Sequence, residues 1–176
     1  MRWILGSLLI VLSLAAPSRA GEWVTFTCKE GHFSVRVPTT PVASEKVYPS
    51  FMGKVKTHIF IANADNSVFT LSYTDVPSIA VGFARGKTFS RARDMLLLNC
   101  GGKEISFTAL KHGKQRSKEL IYQIAPQGGQ PLLNGRTWFI LLGRQLIVAD
   151  ALVRVGPAED RLAQEFLSSL KTESDD

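Results

Sequence analysis

From Trp23 onward, hydrophobic and polar positions follow the order strands, one helix, more strands, one helix. The clearest period-two alternation is Phe33-Ser34-Val35-Arg36-Val37. With the Thr- and aromatic-rich stretch Trp23 to Cys28 before it and a turn at Glu30-Gly31, it predicts a hairpin. Pro38, Thr39, Thr40 and Pro41 end that hairpin, because proline has no N–H to give to a ladder. Further strands are predicted from Val42 to Tyr48, Lys54 to Ala62 and Val68 to Thr74, with turns at Pro49 to Gly53 and Asp65-Asn66. Phe69, Leu71 and Tyr73 then share one face, as alternation requires. Lys103 to Leu110, Glu119 to Ala125, Arg136 to Leu142 and Gln145 to Val153 are also strand-like. The separators are His112-Gly113, Gln127-Gly128-Gly129, Asn134-Gly135 and Gly143-Arg144, and the last pair predicts a tight hairpin.

The period changes twice. Phe89, Ala92, Met95, Leu96 and Asn99 recur at spacings of three and four, which predicts a helix from Thr88 to Asn99, with Thr88 or Ser90 as cap and Gly101-Gly102 as stop. Pro157 suits a helix start, Glu159 and Asp160 suit the positive end of its dipole, and Leu162, Ala163, Phe166, Leu167 and Leu170 form an apolar stripe. Short turns between strands favour antiparallel neighbours. The fold class expected is α+β, an antiparallel meander with two main helices packed on it.

Composition adds a compartment. Arg2 precedes an apolar run from Trp3 to Ala16 that is too short for a bilayer, which needs about 20 apolar residues. Pro17 then ends any helix, and Ser18-Arg19-Ala20 places small residues where a signal peptidase reads them. Residues 1–20 are therefore expected to be a signal peptide cleaved near Ala20, residues 21–171 one α+β domain, and residues 172–176 a frayed acidic tail. The expected location is periplasmic or secreted. The chain has 176 residues and a formal charge of +6, which falls to +4 once Arg2 and Arg19 leave. Cys28 and Cys100 are the two cysteines, and in an oxidising compartment an intramolecular disulfide is the first expectation. Two buried thiols or an intermolecular pair are the alternatives.

Candidate chemistry is sparse. Gly82-Phe83-Ala84-Arg85-Gly86-Lys87-Thr88 ends like a phosphate-binding loop, but three residues separate its glycines where four are needed to wrap a phosphate. No two of His32, His58 and His112 share a metal-ligand spacing; His32 and His112 are expected in solvated turns, and His58 on a wet strand face with Lys54 and Lys56. Asp75, Asp94, Asp150 and Glu165 are scattered over different elements. Asp150 shares its face with Leu146, Val148 and Leu152, so it is either an inward acid that needs a partner or, as the first expectation, a sign that this face meets water near the strand end. No catalytic, cofactor-binding or metal-binding set is assigned. The run from Lys111 to Lys118 is expected to be a hairpin loop carrying Lys111, Lys114, Arg116 and Lys118, which could touch an anion through charge. His112 is its one ring, so stacking on nucleic-acid bases is hardly offered.

Gly31-His32-Phe33-Ser34-Val35-Arg36-Val37-Pro38 with Pro41, Leu71-Ser72-Tyr73-Thr74-Asp75-Val76-Pro77, Gly101-Gly102 closing the helix, and Phe166-Leu167-Ser168-Ser169-Leu170 occur in an order that resembles the PsbP-like α/β/α sandwich. The likeness covers nearly all of the chain beyond residue 20. It implies that fold, shared by an extrinsic photosystem II protein, a nuclear-transport cofactor and exported bacterial proteins of unknown role. It also implies binding rather than catalysis, and carries no site over.

The reading is thus a non-enzymatic extracytoplasmic binding domain with a protein partner in the cell envelope, without nucleic acid, cofactor or stable membrane span, and with at most weak contact to anionic envelope surfaces. Two alternatives stand beside it: an anionic lipid or glycan binder using residues 111–118, and a hydrolase with acids gathered from distant strands.

Overall fold

A computed structural model describes residues 23–50, 53–64, 67–76, 85–126, 128–129 and 131–173. The leader 1–20, the Asp65-Asn66 turn, Gly82 to Ala84 and the last three residues lie outside the described residues.

The strands form two sheets. β1 (Val24–Cys28) and β2 (Phe33–Val37) make the predicted hairpin, with Val24 opposite Val37 and Cys28 opposite Phe33. β3 (Val42–Ser50), β4 (Gly53–Ala64) and β5 (Ser67–Asp75) form one meander of a larger sheet. β6 (Lys103–His112), β7 (Gln115–Ile124), β8 (Leu133–Leu142) and β9 (Gln145–Arg154) form a second. Antiparallel pairing of β5 with β9 joins the two meanders into seven strands in the order β3-β4-β5-β9-β8-β7-β6. The chain then returns to the hairpin, where β10 (Lys171–Thr172) pairs with β2. The antiparallel α+β class is thus the one expected, its strands divided between two sheets, and Thr172, expected to fray, is edge structure paired with β2.

The two helices lie on opposite faces of the seven-stranded sheet. Strict alternation along β5 and β9 sends Phe69, Leu71, Tyr73, Ile147, Ala149, Ala151 and Val153 to one face, where α2 (Pro157–Ser168) and the small sheet cover them. Ala163, Phe166, Leu167 and Leu170 of the predicted stripe are buried there. Aromatic rings seal the layer, with Phe69 against Phe166 at 5.0 Å and Phe26 against Phe60 at 5.0 Å. The other face gives Leu120, Tyr122, Phe139, Leu141 and Leu146 to α1 (Arg85–Cys100), whose Phe89, Leu96 and Leu97 close a second core. Gly101, at φ 66°, and the Gly102 N–H bond to the Leu97 carbonyl end α1 as the glycine pair predicts.

Three sequence expectations change. Cys28 belongs to the first core and Cys100 to the second, so the sheet stands between them; both are free thiols, and the expected disulfide is not formed. The expected loop from Lys111 to Lys118 is almost all strand, since β6 runs to His112 and β7 starts at Gln115. Asn134-Gly135, read as a turn, lies inside β8, where the Tyr122 ring packs directly on the Gly135 backbone. A Cβ at Gly135 would collide with Cζ and Cε1 of that ring. Gly135→Ala is accordingly expected to destabilise the fold by about 3 kcal/mol, as overpacking of a closed core does. Urea unfolding measures it, and a variant of wild-type stability would show that Tyr122 can move aside.

Candidate functional site

Two places gather polar chemistry, one closed and one open. The closed one lies beneath the C-terminal end of α1. Tyr122 on β7, Thr137 on β8 and Asp150 on β9 fall in adjacent strands on one face, because Thr137 is opposite both Leu120 and Asp150. Thr137 donates its hydroxyl proton to Asp150 Oδ1 over 2.6 Å, and the Tyr122 hydroxyl lies 3.1 Å from each carboxylate oxygen. Asp150 is thus the inward acid of the two sequence readings, with two donors, and not the water-facing strand end. Burial pushes its pKa up to about 6 against the opposing effect of both donors. Burial and the neighbouring carboxylate together hold the Tyr122 phenol well above its usual value, so it serves as a donor. The Cys100 thiol is likewise raised by burial.

This cluster does not meet the other candidate groups. Asp75, opposite Gln145, belongs to the opposite face and lines with Arg144 a cleft of about 310 Å³. His58 is on that face too, in a row that links Glu45, His58 and Tyr73 across three strands. Its Nδ1 is 3.0 Å from Glu45, and its ring stacks on Tyr73 at 4.5 Å, so it rims the core instead of lying on a wet face. His112, expected in a solvated turn, ends β6 and packs edge-on against Trp138 at 5.7 Å, where burial lowers its pKa. His32 has the exposure expected and pairs with Glu173 at 2.9 Å. Asp94 on α1 pairs with the neighbouring Arg93, and Glu165 on α2 pairs with Arg36 of β2. Among the described residues no group of three His, Cys, Asp or Glu side chains could hold a metal.

The open place is the end of the β6–β7 hairpin together with α1. Lys111 and Arg116 stand directly opposite each other, and Lys118 continues the same face; Lys114 sits in the two-residue turn. The four cations predicted from sequence are thus brought together. Among the described residues none has an acid within ion-pair distance. Two like charges directly opposite on neighbouring strands destabilise a sheet. Lys118 Nζ lies 4.6 Å from the Phe107 ring centre, and the Arg93 guanidinium carbon lies 4.9 Å from it. Sequence reading missed the share contributed by α1, which was legible: Lys87 and Arg91 stand one turn apart on its exposed side. Residues 87–118 hold eight Lys and Arg against Asp94 and Glu104, a net +6, so they account for the whole formal charge of +6.

Asp150 carries a pH signature. A carboxylate whose folded pKa lies above its unfolded value binds its proton more tightly when folded, so its contribution is complete below pH 4 and is lost as pH rises through about 6. Asp150→Asn should remove that loss. The stability difference between wild type and variant, measured by urea unfolding, should move in favour of the variant between pH 4 and pH 7. A difference flat with pH would show that the carboxylate titrates normally.

No protein-family model and no curated protein sequence matches the chain. Solved structures do. The solution structure of cyanobacterial PsbP from Synechocystis sp. PCC 6803 aligns over 91% of this chain and 99% of its own, with TM-score 0.56 and 12% identity. The Saccharomyces cerevisiae Ran-binding protein Mog1p aligns over 87% and 96%, with TM-score 0.49 and 10% identity. At such identities the likeness is one of architecture. With one helix on one face of the large sheet and a helix and small sheet on the other, the chain has the PsbP-like α/β/α fold.

Proposed function

We propose that the protein is a non-enzymatic binding domain of the cell envelope, exported by residues 1–20, and that it meets an acidic partner through the basic face of α1 and the β6–β7 hairpin. The observation that carries this reading is charge segregation. All of the net charge lies in residues 87–118, and Lys111 opposes Arg116 with no acid in ion-pair distance of either among the described residues. Such a pair is held against its own repulsion, and an anionic partner would relieve it. The acids that a hydrolase would need point elsewhere: Asp150 accepts from Thr137 and Tyr122, while Asp75 lies across the sheet. No helix among the described residues is long and apolar enough to cross a membrane.

Salt elution from immobilised heparin, used as a generic polyanion, tests the surface. Lys114→Ala with Arg116→Ala should elute at clearly lower salt than wild type. Lys29→Ala with Lys54→Ala, which removes the same charge elsewhere, should elute close to wild type. Equal shifts for both pairs would mean that net charge alone is read, and would remove the assigned surface.

A further inference from the structure

We infer that the acidic partner of this face is an anionic lipid surface, and that Leu98 and Met95 of α1 enter its headgroup layer while the surrounding cations rest on lipid phosphates. The inference depends on the preceding reading and names the partner class.

Leu98 is 83% exposed, the most exposed large hydrophobic side chain among the described residues, and Met95, one turn before it, is 47% exposed. Neither is needed by the core. Phe89, Ala92, Leu96, Leu97 and Cys100 already supply the side of α1 that packs on the sheet. A helix position turned to water is ordinarily polar, so an aliphatic pair there asks for a partner. Lys87 and Arg91 lie on the same outward side as Leu98, at the helical spacings of eleven and seven residues. Lys111, Arg116 and Lys118 project from the sheet face that carries α1. Asp94 and Glu104, the two acids of this region, are held by Arg93 at 2.8 and 3.3 Å, which lessens their repulsion of an anionic layer.

Shape and ring chemistry choose between partners. Leu98 protrudes, whereas protein interfaces are anchored mostly by Trp, Tyr or Arg set into pockets. A bilayer interface accepts a protruding aliphatic side chain and rewards cations around it. Nucleic acid would want an open aromatic face, and the Phe107 ring is already engaged by Arg93 and Lys118.

The test is co-sedimentation of the purified protein with phosphatidylglycerol-rich vesicles, with phosphatidylcholine vesicles as control. Wild type should sediment with the first and not the second. Leu98→Asn, at a position too exposed to affect folding, should weaken vesicle binding roughly tenfold, by loss of one buried aliphatic side chain, and leave heparin elution unchanged. Lys114→Ala with Arg116→Ala should weaken both. Vesicle binding unaltered by Leu98→Asn, or equal on neutral vesicles, would overturn insertion. Heparin retention without vesicle binding would overturn the lipid partner and keep the acidic-partner reading, whereas loss of selectivity on both supports would overturn both.

Discussion

The antiparallel register between β5 and β9 decides where every other group in the molecule lies. It runs from Val68 opposite Leu152 to Asp75 opposite Gln145 and is closed by a 2.7 Å bond from the Val76 N–H to the Arg144 carbonyl. These strands come from two separate meanders, with α1 and three strands between them in sequence. A slip of one residue would exchange Phe69, Leu71 and Tyr73 for Val68, Thr70 and Ser72 on the face that α2 covers. If β9 were the strand to slip instead, Asp150 would turn toward α2 and away from Thr137 and Tyr122. The buried cluster and the first core therefore specify the same register from opposite faces of the sheet.

Because the large sheet is packed on both faces, it also separates chemistries. Cys28 and Cys100 cannot meet across it, nor can Asp75 and Asp150. The disulfide expected from composition fails for this geometric reason. What remains in the interior is a small network in which the carboxylate is matched by two hydroxyl donors, as buried polar groups generally are.

Much of the architecture was legible because local patterns agree with the tertiary contacts. Phe33 to Val37 and Val68 to Thr74 alternate as half-buried strands do, the spacing of Phe89, Ala92 and Leu96 matches the face that α1 buries, and Gly143-Arg144 makes the turn it predicts. The failures share a cause, since each depends on a partner distant in sequence. Gly135 resembled a turn because nothing near it reveals the Tyr122 ring on its backbone. Asp150 needed Thr137 and Tyr122, thirteen and twenty-eight residues away. Lys171-Thr172 is too short and polar to suggest a strand, and is ordered by pairing with β2. The basic stretch resembled a loop because charged residues have low strand propensity, although β8 holds β7 from Arg116 to Ile124.

Edge protection offers a second physical reason for lysines at this corner of the molecule. β6 is a sheet edge, and edges commonly carry charge and bulges that discourage pairing with other chains. The register irregularity between Glu104 and Ser106, together with Lys103 and Lys111, fits that purpose. It does not account for Arg116 and Lys118, which lie on the interior strand β7, or for Lys87 and Arg91, which lie on a helix. At β3, Glu45 lies 3.0 Å from both Lys56 and His58, so one acid is shared between two bases there. The corner formed by β6, β7 and α1 therefore has more positive charge than its own edge requires. That excess surrounds the one helix with an exposed Leu98, and a partner that is both acidic and yielding would satisfy the two features together.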